Sequence, residues 1–468
     1  MPIFVHSSRM PVPVEALAAW HFRRGALERM LPPWVTVRSV HAFGGVTEGS
    51  IAELEMRILG LRRRWRAVHE EVHPGRGFRD RQVAGPFRAW THDHRFLPDG
   101  EHSLLEDRID YAVPLGGLGA LIAGRWVDRE LARMFRFRHD RLRGDLRRHA
   151  ECAGESLRVA VSGATGLVGR NLAAFLASGG HQARRIVRGA ADPAEGDVAW
   201  DPRRGTIDAA HLEGLDAVVH LAGENIAAGR WTTARMESIR ASRIEGTRLI
   251  AETIARLKSP PRVLVSASAV GFYGDRPDLD GGQALDEGGA RGAGFLADVA
   301  AAWEQATRPA EEAGVRVVHL RIGAVVSAQG GVLAKLRPPF SLGLGGPAGH
   351  GRQAMPWISL DDLLGAILWS IRRESLRGAV NAVAPEPRTN REFAKDLAAV
   401  LRRPAFMPLP ALLVRTLLGR MGEELLLAGA PVAPRRLLGS GFRFEHPTLR
   451  GALAHELGRS ARLEEASR

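Results

Sequence analysis

Three glycines at three-residue intervals stand in the run Val159-Ala160-Val161-Ser162-Gly163-Ala164-Thr165-Gly166-Leu167-Val168-Gly169. Glycines at this spacing could cradle a pyrophosphate. The first makes a tight turn, the second lets backbone approach the phosphate, and the third lets a helix pack closely on a strand. The phosphate charge would then rest on free N–H groups at the helix N-terminus. Ordinary strand-to-helix turns carry the same pattern, so its weight depends on its neighbours. Here β-formers precede Gly163, Leu172 and Leu176 share a helical face after it, and a further strand, Gln182 to Val187, follows Gly179-Gly180-His181. At the end of that strand a carboxylate would hold a ribose 2′-hydroxyl, and a guanidinium a 2′-phosphate. The chain offers Arg184, Arg185 and Arg188 there and no acid before Asp192, which favours NADP over NAD.

Further along, Asp216 to Gly223 reads as a buried strand ending in the small residues that a cofactor's adenine and ribose require beneath them. Arg262 to Ser268 is another strand, with the hydroxyls of Ser266 and Ser268 at its C-terminal end, where open parallel sheets bind ligands. Val315 to Gly323 is the next, and a helix from about Thr232 to Leu257 separates two of them. Strands alternating with helices imply an α/β Rossmann fold, a doubly wound parallel sheet. The cofactor candidates are Gly163, Thr165, Gly166, Leu167, Val168, Gly169, Arg188, Leu221, Ala222, Gly223 and Ser266.

The 468 residues exceed what one core serves, so two or three domains are expected. The single cysteine, Cys152, excludes an internal disulfide framework and a cysteine-based zinc cluster. No apolar run is long enough to cross a bilayer and the N-terminus lacks a signal-like segment, so a cytoplasmic protein without a membrane partner is expected. A net charge of +13 raises the question of nucleic acid. Lysine occurs only at 258, 335 and 395, however, so the other 62 of 65 basic residues are arginines, scattered through nearly every element. That is compositional bias rather than a binding stripe, and no nucleic-acid partner is expected.

Ahead of the glycine run, the pattern predicts a strand (2–9), two short helices (13–20 and 25–31), and six β-like runs between 34 and 113 separated by turn signals. A long helix follows from 118, with Leu121, Ile122, Trp126, Leu131, Met134, Phe135, Leu142 and Leu146 at helical spacing. His92 and His94 alternate along one strand and point to one side. No third ligand follows at metal spacing, so surface or cavity-lining histidines are expected and no metal site.

That order of elements, with Pro86-Phe87-Arg88-Ala89-Trp90, resembles the START-like, polyketide-cyclase type of helix-grip domain. The resemblance implies an α+β domain over 1–152 that wraps its sheet about the long helix and holds an apolar small molecule. From 157 to 455 the chain resembles extended, epimerase-like short-chain dehydrogenase/reductases, and one atypical subfamily in particular. The motifs include Gly223-Glu224-Asn225-Ile226, Arg230-Trp231-Thr232, Ser242-Arg243, Ser266-Ala267-Ser268-Ala269-Val270-Gly271-Phe272-Tyr273-Gly274, Trp303-Glu304, Gly343-Leu344-Gly345-Gly346-Pro347 and Asn381-Ala382-Val383-Ala384-Pro385. The likeness implies a Rossmann domain over 156–400, a small helical tail domain over 404–468, and Arg243 as a further cofactor contact.

Conventional members of that superfamily use Ser, Tyr and Lys, the lysine lowering the tyrosine pKa for proton transfer. The Tyr-x-x-x-Lys pair is absent here: the only tyrosines are Tyr111 and Tyr273, and neither precedes a lysine at that spacing. Ser268 keeps the serine position, and Tyr273 and Glu304 are the candidate acids. Two accounts stay open: an oxidoreductase or isomerase acting on a small molecule, or an NADP-binding sensor without turnover. Oligomeric state is not legible.

Overall fold

The computed structural model describes residues 1–459 apart from 36, 44, 59–60, 115 and 278–282. The chain divides into two compact units. One holds residues 1–154 with 174–180 and the C-terminal residues from 455; the other holds 155–173 and 181–454.

In the first unit, β1 (Ile3–Met10), α1 (Val14–Phe22) and α2 (Ala26–Met30) precede six strands: β2 (Val37–Phe43), β3 (Ile51–Ile58), β4 (Leu61–His73), β5 (Gly77–Ala84), β6 (Ala89–Asp99) and β7 (His102–Ala112). They form one antiparallel sheet in the order β1-β7-β6-β5-β4-β3-β2. The 36-residue helix α3 (Gly116–Glu151) closes the unit. Its Val127, Leu131 and Phe135 pack with Trp90, Ile109 and Tyr111 of the sheet, and Leu142 and Leu146 pack with Met10, Phe96 and Leu105. Trp126, expected in that stripe, is 51 % exposed, because Val127 takes the inward position. The side chains of Leu121 and Ile122 lie outside the described residues.

One expectation needs correction. An apolar ligand cavity in a START-like domain is not supported, because the interior side of this sheet carries buried polar groups, His92, His94, Asp107 and, from the helix, His139. What is seen is an antiparallel sheet with its helices.

The second unit is built on β8 (Arg158–Ser162), α4 (Leu167–Ser178), β9 (Gln182–Val187), β10 (Val198–Asp201), β11 (Thr206–Ile207), β12 (Ala217–His220), α5 (Thr233–Arg256), β13 (Val263–Ala269), α6 (Phe295–Gln305), α7 (Arg308–Glu312) and β14 (Arg316–Ile322). After these come β15 (Ala324–Ser327), α8 (Gly331–Ser341), β16 (Trp357–Ser359), α9 (Leu360–Arg372) and β17 (Gly378–Ala382). The main sheet runs β11-β10-β9-β8-β12-β13-β14-β17, parallel from β10 to β17, while β15 and β16 form a separate parallel pair. Chain direction along the sheet reverses between β8 and β12, the switch point at which doubly wound sheets open a crevice. The strands read as continuous apolar runs because both faces are covered: Val159, Ala160, Val161, Val218, Val219, Leu264 and Val265 are all fully buried. Residues 404–454 fall within this same unit.

Arg29 of α2 donates from Nε and Nη2 to both oxygens of Asp145 of α3, at 2.8 and 2.6 Å, with side chains 0 % and 4 % exposed. Removing one member of such a pair strands a buried charge. Asp145→Ala should therefore cost about 3–5 kcal/mol in urea unfolding of the first unit; a loss under about 1 kcal/mol would show that the guanidinium stays solvated.

Candidate functional site

At the C-terminal ends of β8, β12 and β13 lies a cavity of about 330 Å³. Gly163, Gly166, Leu167, Val168 and Gly169 line it from one side, with Leu221, Arg243, Ser268 and Trp303 from the others. Gly163 has φ +67°, and a Cβ there would sit 2.9 Å from the carbonyl carbon of Leu221. A Cβ on Gly169 would sit 2.2 Å from the carbonyl oxygen of Gly163. Both positions therefore exclude any side chain, whereas Gly166 is less confined, its nearest neighbour lying at 3.2 Å. Behind the turn begins α4, whose first-turn N–H groups have no preceding turn to bond. That is the donor set and the close backbone approach that a pyrophosphate needs.

Ser162 fixes this geometry. Its Oγ accepts from Leu221 N at 3.1 Å and Ala222 N at 3.3 Å, and lies 2.6 Å from His220 Nδ1. Burial, with the nearby Arg243 charge, pushes the His220 pKa down to about 3, so the ring is neutral and its Nδ1 accepts the serine proton. One hydroxyl thus ties the end of β8 to the end of β12. Arg243 projects from α5 with its Nη1 on the Ile239 carbonyl and Nη2 on the Glu224 carbonyl, both at 3.1 Å. Burial lowers its pKa to about 10, which leaves a cation at the cavity wall.

On the opposite wall, Ser268 Oγ donates to Glu304 Oε1 at 2.7 Å. Arg321 of β14 holds the same carboxylate with two parallel bonds, Nε to Oε1 at 2.8 Å and Nη2 to Oε2 at 2.9 Å. Its Nη1 donates to the Tyr273 hydroxyl at 2.9 Å, and its guanidinium lies 3.5 Å from the centroid of the Phe272 ring. Burial would lower the Arg321 pKa, but the bonds to Glu304 outweigh it and raise it. Tyr273 is 0 % exposed and does not line the cavity. Its hydroxyl lies 2.7 Å from Asn381 Oδ1, the amide nitrogen of which is spent on the Ala433 carbonyl, and burial raises its pKa. Arg321, Asn381 and the buried Glu287, which accepts from Asn381 N and Arg436 N, were not singled out from sequence. Arginine in a chain this rich in arginine gives no signal, although Asn381 lies in a motif quoted above.

Of the expected cofactor residues, the glycine turn, Leu167, Val168, Leu221 and Arg243 line the cavity. Thr165 and Gly223 are exposed beside it and Ala222 is half-buried. Ser266 is fully buried and its Oγ turns to the Ala267 carbonyl. Arg188 is exposed at the end of β9; Arg185 is held by both oxygens of Asp197, and Arg184 donates to the His211 carbonyl.

The profile of the NAD dependent epimerase/dehydratase family matches residues 159–382, and that of a domain of unknown function matches 409–456. An epimerase family protein of Mycobacterium tuberculosis is 41 % identical over 297 residues, 64 % of this chain and 96 % of its own length. The chain belongs to the epimerase family. The human epimerase family protein SDR39U1 is 36 % identical over 299 residues, covering 64 % of this chain and 98 % of the human one. Its crystal structure with NADPH superposes with a TM-score of 0.58. A nucleoside-diphosphate sugar epimerase of Corynebacterium glutamicum matches 99 % of this epimerase family chain and 92 % of its own, at 32 % identity and a TM-score of 0.80. The first unit, too, is thus shared with a solved relative.

Folded His220 stays neutral to about pH 3, while an unfolded imidazole takes a proton below about 6.5. Unfolding then takes up a proton between those values, so stability is lost as the pH falls through that window. Between about pH 7 and 5, His220→Gln should lose unfolding free energy less steeply than the unaltered protein, by up to about 1.4 kcal/mol per unit. Parallel curves would mean that the folded ring takes up its proton over the same range as the unfolded one.

Proposed function

We propose that this chain binds NADPH in the cavity above β8, β12 and β13 and interconverts a hydroxyl and a carbonyl on a small molecule. The observation that carries the reading is the bond from Ser268 to Glu304 at the cavity wall, opposite a turn with no room for side chains. When bound, NADPH supplies the hydride, and its oxidised form takes one back.

The chain's own residues divide the rest of the work. The glycine turn and the start of α4 would hold the pyrophosphate, and Arg243 a second anionic or ribose oxygen. Arg188 is the guanidinium left for a 2′-phosphate, since Arg185 is committed to Asp197. Ser268 gives its proton to Glu304, so its lone pairs face the cavity and can accept from a substrate hydroxyl. As that alcohol is oxidised, its proton passes to Ser268 Oγ while the serine proton passes to Glu304; reduction runs the same path backwards. Arg321 holds the carboxylate in place and Tyr273 backs Arg321, a positioning role. The NADPH bound by the human relative and the nucleotide sugars in the names of more distant neighbours support the cofactor class and make nucleotide sugars a sensible first panel.

Titration with NADPH and NADH, followed by the nicotinamide absorbance while aldehydes, ketones and nucleotide sugars are added, tests this. NADPH should bind more tightly, with Arg188→Ala losing about 10–100-fold of that affinity, the worth of one charge-assisted contact. Ser268→Ala and Glu304→Gln should lower kcat about 10²–10⁴-fold with NADPH affinity nearly unchanged, and Tyr273→Phe much less. A collapse of turnover in Tyr273→Phe with full activity in Glu304→Gln would reverse the assignment. Tight NADPH binding without turnover across the panel would leave the sensor reading.

A further inference from the structure

The first unit contains a row of histidines and aspartates that the proposed chemistry does not use. It is laid down by strand register. On β4, β5 and β6, His69 pairs with Asp80 and Asp80 with His92; one step along, His94 of β6 pairs with Asp107 of β7. Alternation puts these side chains on one face of the sheet, and His139 of α3 comes down on Asp107. Asp107 is 0 % exposed, His92 4 %, His94 7 % and His139 0 %.

A carboxylate only accepts, so each ring nitrogen that meets one carries a proton. Asp107 meets three: His92 Nε2 at 2.9 Å, His94 Nδ1 at 2.7 Å and His139 Nε2 at 2.6 Å. His92 and His139 are thereby each held in one orientation with the other nitrogen not spent on Asp107, the arrangement that outer carboxylates impose on metal-binding histidines, whereas His94 meets a carboxylate at each nitrogen. His69 does the same service for Asp80, with Nδ1 2.5 Å from Oδ1. That leaves Asp80 Oδ2 only 3.4 Å from His94 Nε2. That contact is a long hydrogen bond, whose proton a metal ion would replace. One ligand atom from each of Asp80, His92 and His94 lies within 4.8 Å of the other two. The Asp80 side chain is 22 % exposed and gives a way in from solvent.

We propose that Asp80, His92 and His94 form a binding site for a divalent first-row transition metal such as Zn²⁺. Two nitrogens and one carboxylate oxygen suit that class, with a position left for water or a ligand. The charge fits as well: the carboxylates of Asp80 and Asp107 face four imidazoles, His69, His92, His94 and His139, and the distant Arg138, whose Nε is spent on the Met30 carbonyl, and a dication balances the two carboxylates. The ring of Phe78, stacked on His94 with centroids 4.2 Å apart, shields the site on one side.

The test is metal content by mass spectrometry and a Zn²⁺ titration on tag-free, full-length protein previously stripped with a chelator. One Zn²⁺ per chain is expected, and Co²⁺ in its place should give a visible d–d absorption. Asp80→Asn and His94→Gln, both close in shape, should weaken binding at least 100-fold, and Asp107→Asn about 10–100-fold through loss of orientation. Far-UV circular dichroism of each metal-free variant checks that the fold is kept. No binding at micromolar Zn²⁺ by the unaltered protein overturns the proposal, and so does binding that persists in folded Asp80→Asn and His94→Gln.

Discussion

At the ends of β8 and β12 two backbones pass so closely that no side chain fits between them, and the second unit is arranged around that contact. Gly163 can turn with positive φ against the Leu221 carbonyl only because it has no Cβ. The turn in turn aims the start of α4 into the crevice, and Gly169 lets the helix settle directly on the turn. Ser162 makes the approach specific. Its hydroxyl fills the valences of two backbone N–H groups and a neutral histidine that would otherwise be buried without partners, a cost of about 1–3 kcal/mol each. The fold and the shape of the cavity wall are therefore one constraint at this point of the chain.

The other wall solves a different problem. A serine beside a hydride donor can hold an oxygen but needs a partner to move a proton. The usual partner in this superfamily is a tyrosine whose pKa a lysine lowers; here the tyrosine is behind the wall, its pKa raised by burial, and its hydroxyl is occupied on both sides. What Ser268 meets instead is a carboxylate clamped by a guanidinium. The clamp fixes both oxygens of Glu304 in one plane, which is the geometry a planar fork delivers and a lysine would not. Ser268 is thereby the group at the cavity lining, and Glu304 the carboxylate that its hydroxyl meets.

Much of this was legible from sequence where information is local. The order of strands in the front half follows from alternation and turn residues, and β9 occupies residues 182–187, the strand expected after Gly179-Gly180-His181. The glycine spacing indicated the turn because the steric demand sits within seven residues. What could not be read was set by register between distant strands. Arg321 of β14 lies opposite Ser268 of β13 and reaches Glu304 of α6, and Asn381 reaches Tyr273 from β17, pairings that no spacing rule connects. The short β10–β11 hairpin was missed for another reason: Trp200 and Ile207 carry its burial on a segment too short for periodicity to register.

The interior of the front unit shows why a resemblance in element order says little about what a fold encloses. An antiparallel sheet with a long helix across it can enclose an apolar space or a polar one, and the choice rests on a handful of inward positions. Here those positions alternate with ordinary strand residues, so the pattern of β6, Trp-x-His-x-His-x-Phe, looks like one more half-buried strand. Burying Asp107 without donors would be prohibitive, and three imidazoles meet it from two elements. Burial would raise its pKa, yet the His94 charge and these bonds hold it well below the usual carboxylate range. A network in which each ring's orientation follows from its neighbour's demand is specified as a whole, and only the folded register brings its members together.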